Sequence, residues 1–390
     1  LQIIGKENPI SIKDILIGDV WLCSGQSNMQ WVVNNVTNAE VEKKNANYPQ
    51  IRTLNIPRRM ELSPKDTISA TWLVCSPENV GRFSGVAYFF AKKVYEETNI
   101  PIGIINSSWG GTIVETWTSL EAANTLPQKR LDRYNKNEKL FPPTEYLTRK
   151  NKEAKRNDYP SLVYNAMIHP LLSFSIKGVL WYQGENNVGN AEPYTDWLTC
   201  MIGDWRNRWN SELPFYIIQL PNFDSINKKP LWAEMRDAQS KVLAVPGTHL
   251  IVTSDLGDPY DLHPRNKQEV GMRAALQALH YEYGYSDIVS ESPMFERMEI
   301  NGDKVIITFK NTGSGFEIRS RYGCLQGFAI AGEDKKFHWA LGELKDNRIV
   351  IWSPKVPNPV AVRYNWENNP DGNLYNKDGL PACLFRTDNW

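Results

Sequence analysis

Short apolar runs alternate with amphipathic segments from about residue 15 to residue 290, and this alternation constrains the fold more than any other feature of the chain. The candidate strands are continuously apolar, as strands buried on both faces should be: 15–22, 51–55, 102–106, 176–182, 215–220 and 248–253. The segments between them space their apolar residues as helices do: 86–97, 162–172, 194–209 and 232–245. The pattern predicts an α/β fold with helices on both faces of a parallel sheet.

The pattern differs on either side of this region and once within it. From about residue 293 short alternating strands are separated by Gly and Asn turns, which predicts an all-β region over 293–390. Residues 1–13 predict one more strand of that β region. Between them, 14–292 is the predicted α/β domain, and its charged stretch 121–159 predicts a solvated insertion or a lid.

Charge and composition exclude several classes of function. Lys plus Arg and Asp plus Glu both number 44, so the formal net charge is zero and nothing favours nucleic acid or an anionic membrane surface. No apolar run is long enough for a transmembrane helix. The expected partner is a small, neutral-to-polar ligand, and the oligomeric state is left open.

Metal, phosphate and disulfide sites are not indicated. The five cysteines are odd in number, widely spaced and without C-x-x-C, and the five histidines form neither H-E-x-x-H nor a close pair. No Gly-rich phosphate motif follows a strand. We therefore expect neither a metal nor another cofactor.

Chemically active residues follow four of the predicted strands. Ligands bind beyond the carboxyl ends of parallel strands, so these positions are expected to meet at one edge of the sheet. In chain order the strand-end residues are Ser27; Trp109, Gly110 and Gly111; Gln183, Glu185 and Asn186; and Asp261 and His263. A serine, glycines whose backbone N–H groups can approach an oxyanion, an amide and an acid with a histidine together predict nucleophilic catalysis by Ser27.

His263 is the predicted base. Because it precedes Pro264, which suits the first position of a helix, the imidazole is expected at a fixed loop-to-helix junction. Asp261 is the nearest acid to orient the ring, and Asp255, Asp258 and Glu185 are rivals.

Each of these features also has a purely structural interpretation. A serine after a strand is more often a helix cap than a nucleophile, a lone histidine before proline is usually structural, and Gly110-Gly111 could be a simple turn. The joint occurrence of the set at successive strand ends favours catalysis.

Three blocks of the sequence resemble the sialate O-acetylesterase family of the SGNH hydrolase superfamily and its acetylxylan esterase relatives. The blocks are 19–29 with Gly25-Gln26-Ser27-Asn28, 181–186 with Gln183-Gly184-Glu185, and 261–267 with His263-Pro264. The resemblance implies a three-layer α/β/α, flavodoxin-like domain, with a β-sandwich built from both flanking segments. Residues 1–13 are then expected to be the remnant of a longer N-terminal part.

The resemblance also implies roles for individual residues. Ser27 attacks an ester carbonyl, and the oxyanion is held by the Ser27 N–H, by Gly110 or Gly111, and by the Asn186 side chain. The superfamily acid stands three positions before the histidine, where this chain has Tyr260. The orienting acid is therefore either Asp261 or, as in some similar sugar esterases, Glu185.

The expected function is removal of O-acetyl groups from sugars, with 9-O-acetylated sialic acid as the substrate and water as the second substrate. The alternatives are an acetylxylan or other plant-polysaccharide acetylesterase and, in a different class, a carbohydrate-binding protein without catalysis. The chain begins at Leu1 rather than Met and shows no signal peptide, so we expect that its natural start has been removed or lies upstream. The expected location is secreted or periplasmic.

Several side chains are candidates to contact the sugar. They are Gln26, Gln30, Trp109, Trp117 and Gln183, with Arg82 or Arg236 as the partner of a sialic acid carboxylate.

Overall fold

The computed structural model describes residues 2–4, 9–132, 135, 144, 159–224, 229 and 231–390. Most of the predicted insertion, 121–159, lies outside these residues, so the lid stays a prediction.

The N-terminal segment forms an exposed antiparallel pair, β1 (Gln2–Ile3) with β2 (Ile10–Ser11). Within the described ranges, neither strand pairs with the C-terminal strands. The expected addition of residues 1–13 to the C-terminal β region is therefore not seen in the strand pairing, because these two short runs bond to each other.

A seven-stranded sheet forms the centre of the fold. Its strands are β3 (Asp19–Gly25), β4 (Tyr48–Asn55), β5 (Trp72–Cys75), β6 (Ile102–Ser108), β7 (Gly178–Tyr182), β8 (Phe215–Ile218) and β9 (Thr248–Ile251). In space their order is β5-β4-β6-β3-β7-β8-β9, and only β5, an edge strand absent from the sequence prediction, is antiparallel to its neighbour. The predicted parallel sheet is confirmed. Its first strand begins at Asp19 rather than at residue 15, because pairing with β6 starts at Asp19 and Ile102. Ile17, which precedes this pairing, is 92% exposed.

Helices cover both faces of this sheet, which confirms the three-layer α/β/α arrangement. The α-helices are α1 (Ser27–Gln30), α2 (Ala39–Asn45), α3 (Gly85–Thr98), α4 (Leu120–Ala123), α5 (Leu162–Met167), α6 (Ala191–Trp209), α7 (Leu231–Lys241) and α8 (Lys267–Glu282). Single 3₁₀ turns occur at Val33–Asn35, Val80–Arg82, Val114–Trp117, His169–Leu171, Glu185–Asn187 and Val242–Ala244. Apolar residues of α3 and α8 form the core on one face, and those of α5, α6 and α7 form the core on the other.

A glycine lets α8 approach α3 closely. A Cβ atom at Gly271 would lie 2.7 Å from the Cβ atom of Phe89 and from the carbonyl oxygen of Val86. Any larger residue at position 271 would push the two helices apart. The glycine therefore sets the close spacing of α3 and α8.

The C-terminal residues form the predicted all-β region. Its strands are β10 (Met294–Asn301), β11 (Lys304–Lys310), β12 (Phe316–Ile318), β13 (Phe328–Ala331), β14 (Phe337–Trp339), β15 (Leu341–Lys345), β16 (Arg348–Trp352), β17 (Ala361–Tyr364), β18 (Leu374–Asn376) and β19 (Phe385–Arg386). They make two four-stranded sheets, β10-β11-β16-β15 and β14-β13-β17-β19, and the pair β12-β18. Alternate residues of these strands, such as Ile307, Ile330 and Ile351, share one apolar core.

Hydrogen bonds join this β region to the α/β domain. The Trp232 backbone N–H donates to Asn368 Oδ1 at 3.0 Å, and the Tyr375 hydroxyl donates to Asp255 Oδ2 at 3.3 Å. The Arg236 guanidinium donates to a backbone carbonyl at residue 367. The β region therefore packs against α7 and the loop after β9.

Candidate active site

Ser27 lies where the central strand β3 ends and α1 begins. Gly25 has φ +135, and a Cβ atom there would lie 2.1 Å from the Tyr182 carbonyl oxygen, so only glycine allows this close turn. Gln26 is the N-cap of α1, and Ser27 is its first helical residue. The alternative that Ser27 serves as the helix cap therefore does not hold.

His263 lies against Ser27, with Nε2 2.8 Å from Oγ. The indole of Trp31 stacks on the imidazole, with ring centroids 4.9 Å apart and planes 9° apart. Helix α8 begins at Lys267 and is capped by Asn266, whose side chain accepts from the Glu269 N–H at 3.2 Å. The prediction that the helix starts at Pro264 was wrong, and His263 lies in the preceding loop.

The environment of His263 favours its neutral form. Burial lowers the pKa of the imidazole below its ordinary value, and the positive charge of Lys267 lowers it further, whereas Asp261 opposes them. A neutral imidazole has a free nitrogen lone pair, which is the state that can accept a proton from a hydroxyl.

The candidate acids make different contacts. Asp261 Oδ1 accepts the backbone N–H of His263 at 2.8 Å, and Glu185 Oε1 accepts from Asn28 Nδ2 at 2.5 Å. Asp255 is paired with Arg273 and Asp258 accepts backbone N–H groups, so both rivals are engaged elsewhere. Within the part of the chain that the structure describes, no carboxylate accepts a hydrogen bond from His263 Nδ1.

Of the predicted oxyanion donors, Gly110 lies directly against Ser27, and two of the donor groups are already engaged in hydrogen bonds. A Cβ atom at Gly110 would lie 3.1 Å from the Ser27 Cβ, so this backbone is in contact with the serine. The Gly110 N–H donates to Gln30 Oε1 at 2.8 Å. Asn186 Nδ2 donates one hydrogen to the Gly111 carbonyl at 2.7 Å, and a primary amide carries a second hydrogen.

Three of the predicted sugar contacts are buried. Gln26 Oε1 accepts from the backbone N–H groups of Gly184 and Asn186, each at 3.3 Å, and Gln183 Nε2 donates to the Thr112 carbonyl at 3.0 Å. Trp117 is 0% exposed, and its indole N–H donates to a neighbouring threonine. These side chains hold the strand-end loops together and do not present a surface to a sugar, contrary to the prediction.

Of the other candidates, all but Arg236 lie closer to the surface. Trp109 is half-buried against the core, and half-buried Gln30 is bonded to Gly110. Arg82 is exposed, whereas Arg236 is 0% exposed and cannot reach a substrate carboxylate. Burial lowers the pKa of Arg236 to about 9.

Three residues near Ser27 and His263 received no role from sequence reasoning: Asn28, Trp31 and Lys267. Asn28 and Lys267 are both 0% exposed and are bonded to each other, with Lys267 Nζ 2.5 Å from Asn28 Oδ1. The sequence does offer one sign of a role for Lys267. It lies four residues after His263, in the first turn of a helix that packs on the sheet.

The described residues contain no cluster of three or more His, Cys, Asp or Glu that could hold a metal ion. None of the helices in the described ranges has the length and apolar character needed to cross a membrane.

Residues 17–280 match the family described as carbohydrate esterase, sialic acid-specific acetylesterase. Sialate O-acetylesterase of Rattus norvegicus is 31% identical over 338 residues, covering 75% of this chain and 61% of the rat protein. The Homo sapiens protein of that name is 32% identical over 76% of this chain and 60% of its own length. This chain thus spans about three fifths of these two relatives.

A solved structure supports the same assignment. A carbohydrate acetylesterase from Xanthomonas citri superposes with a TM-score of 0.89 at 38% identity, covering 100% of this chain and 85% of that protein. Sialate O-acetylesterase of Mus musculus is 31% identical over 95% of this chain and 76% of its own length. The chain therefore belongs to the carbohydrate esterase family of sialic acid-specific acetylesterases.

Proposed function

We propose that this protein is a serine esterase that removes O-acetyl groups from sugars through an acetyl-enzyme, with 9-O-acetylated sialic acid as its substrate. The observation that carries the proposal is the 2.8 Å approach of His263 Nε2 to Ser27 Oγ at the carboxyl edge of the sheet. Membership of the family supports the same chemistry.

In the first half-reaction the Ser27 hydroxyl donates its proton to His263 Nε2 while Oγ bonds to the acetyl carbon. The bond from that carbon to the sugar oxygen then breaks, and His263 returns the proton to the leaving sugar oxygen. In the second half-reaction water gives a proton to Nε2 and attacks the acetyl carbon. The bond from the acetyl carbon to Oγ breaks, Nε2 returns its proton to Ser27 Oγ, and acetic acid leaves and ionises to acetate in solvent.

The charge that develops on the carbonyl oxygen needs donors beside Ser27. As the first residue of α1, Ser27 has a backbone N–H without an acceptor inside the helix. The second amide hydrogen of Asn186 is the other proposed donor, since its first hydrogen, bonded to Gly111, fixes the orientation of the amide. The Gly110 N–H can donate to the oxyanion only when its hydrogen bond to Gln30 Oε1 is broken.

Asp261 is the proposed acid partner of His263. Its carboxylate binds the His263 backbone, and its negative charge favours the imidazolium that forms during attack. Glu185 acts on a different neighbour, Asn28, and we assign it no direct contact with the imidazole.

For sialic acid, Arg82 is the proposed partner of the substrate carboxylate. It is exposed, and its segment is tied to α1 because the Ser84 hydroxyl donates to the Met29 carbonyl at 2.6 Å. Removing a charged partner should weaken binding of the charged substrate alone. We expect Arg82→Gln to raise KM for 9-O-acetylated sialic acid and to leave KM for a neutral aryl acetate unchanged.

A neutral polysaccharide such as acetylxylan is the second candidate substrate. Burial of Arg236 removes one of the two predicted carboxylate partners, and the Xanthomonas citri relative is named only as a carbohydrate acetylesterase. Acetate release from 9-O-acetylated sialic acid, acetylxylan and an aryl acetate separates the candidates by their kcat/KM values. Absence of acetate from all three would reject the esterase and favour a carbohydrate-binding protein.

A further inference from the structure

The carboxamide of Asn28 is fully hydrogen-bonded between two buried ionisable side chains. Its Oδ1 accepts from Lys267 Nζ at 2.5 Å, and its Nδ2 donates to Glu185 Oε1 at 2.5 Å and to the Leu262 carbonyl at 3.1 Å. One acceptor and both donors of the amide are therefore used. The reaction outlined above requires none of these contacts.

The Leu262 bond connects the two segments that carry the proposed nucleophile and base. Asn28 directly follows Ser27, and Leu262 directly precedes His263. The two segments are thus joined twice, once between Ser27 and His263 and once between their neighbours. In the proposed reaction the first bond exchanges its proton, whereas the second takes no part in the chemistry.

The charged partners determine which way the Asn28 amide points. The Lys267 ammonium at the amide oxygen and the Glu185 carboxylate at the amide nitrogen both favour the observed orientation. Turning the amide over would place its donor group against the ammonium and its acceptor oxygen against the carboxylate. Lys267 is 0% exposed, and its ammonium also lies 5.5 Å from the centroid of the Tyr182 ring. A lysine buried without such partners would be strongly destabilising.

We propose that Lys267 and Glu185 are positioning residues, which fix the Asn28 amide so that Asn28, through the Leu262 carbonyl, holds the His263 loop against Ser27. This inference rests on the proposed function of that pair. We call this set of hydrogen bonds, from Lys267 and Glu185 through Asn28 to the Leu262 carbonyl, the clamp. Its loss would let His263 move away from Ser27, and small displacements of reacting groups reduce turnover strongly.

Lys267 has a second, electrostatic effect on the same histidine. The charged groups that act on His263 are Lys267, from α8, and Asp261, from its own loop, while the ring stacked on it, Trp31, is neutral. Burial lowers the pKa of Lys267 to about 7, although the negative charges of Glu185 and Asp261 favour its ammonium form. Below that pH the lysine is cationic and disfavours the imidazolium.

The test is Lys267→Met, which removes the ammonium but keeps a chain of similar length. We expect kcat for an aryl acetate to fall about 10- to 100-fold, because the base is displaced. The acidic limb of the kcat/KM profile should move to higher pH, because a positive charge that lowers the pKa of His263 is gone. Lys267→Arg, which keeps a cation, should restore the position of the limb.

Lys92→Met is the matched control. Lys92 is a partly buried lysine on α3, and its Nζ lies 3.2 Å from a carboxylate oxygen of Glu42 on α2. The variant should change neither kcat nor the acidic limb. Asn28→Asp, which keeps the size of the side chain but loses both donors, tests the clamp if Lys267→Met does not fold. Its kcat should fall while its melting temperature stays above the assay temperature.

An unchanged kcat and an unchanged limb in folded Lys267→Met would overturn the inference, as would full activity of Asn28→Asp. Ser27→Ala distinguishes this failure from failure of the proposed function. If Ser27→Ala is inactive while the clamp variants are normal, only the clamp is rejected. If Ser27→Ala is active, the proposed site itself is rejected.

Discussion

His263 Nε2 and Ser27 Oγ lie 2.8 Å apart although 236 positions separate the two residues in the chain. The end of β3 supplies the serine, and the loop between β9 and α8 supplies the histidine. The separation is that of a hydrogen bond, which a base requires to take the hydroxyl proton directly.

Replacing Ser27 by alanine should abolish the esterase. We expect Ser27→Ala to lower kcat by at least about a thousandfold, because the hydroxyl that lies 2.8 Å from His263 Nε2 is removed. The matched control is Ser24→Ala in β3, the strand that leads to Ser27, because the buried Ser24 hydroxyl has no partner among the described residues. Ser24→Ala should keep full activity. Acetate release by both purified variants is the measurement.

The pH dependence of kcat/KM should show His263 acting as a neutral base. Activity is expected to rise with pH as the imidazole loses its proton, and to be lost as pH falls through the pKa of His263. Because burial and Lys267 lower that pKa, the acidic limb should lie below the ordinary histidine value of about 6.5. A profile measured with an aryl acetate tests this, and a limb above that value contradicts the assigned environment.

Asp261→Asn should move the same limb to lower pH. The amide keeps an oxygen that can accept the His263 backbone N–H, but it removes the negative charge that raises the pKa of the imidazole. Turnover should also fall, because the imidazolium formed during attack loses its partner. Glu185→Gln is the comparison: because Glu185 bonds Asn28 and not His263, its loss should lower kcat without moving the limb to lower pH. A limb that moves to lower pH in Glu185→Gln but not in Asp261→Asn would assign the acid role to Glu185 instead.

Gly110→Ala should damage catalysis without unfolding the protein. The new Cβ atom would lie 3.1 Å from the Ser27 Cβ and 3.4 Å from Gln30 Oε1, so the nucleophile must shift. We expect a loss of kcat of about tenfold or more. Gly203→Ala in α6 is the control, because a Cβ atom there meets nothing within 4 Å. That control should retain activity, and its melting temperature should be equal or higher.

Trp31 should prove to be a positioning residue for His263. Trp31→Ala removes the ring that stacks on the imidazole and should lower kcat, whereas Trp31→Phe keeps an aromatic face and should restore most of it. Kinetics with an aryl acetate, which carries no sugar, separate positioning from sugar binding. Equal kcat in wild type and Trp31→Ala would remove Trp31 from the site.

The fold was largely predictable because its signal is local. Continuous apolar runs and helical spacing indicated the parallel sheet and its covering helices. The edge strand β5 was missed because Trp72–Cys75 is a short run after a polar stretch, and its pairing with β4 depends on a neighbour in space.

The sequence by itself determined which chemical groups follow the strands, because residue type and chain position are local properties. Ser27, Gly110, Asn186 and His263 were all identified in this way. It could not determine which side chains face the solvent: the sequence predicts Trp117 as a sugar contact, whereas its side chain belongs to the core.

Only the tertiary structure decided how the groups are held. The Asn28 amide, buried between Lys267 and Glu185, and Trp31 on the imidazole are contacts between chain segments that are distant in sequence. Burial and distance follow from the packing of whole layers, which no local pattern encodes.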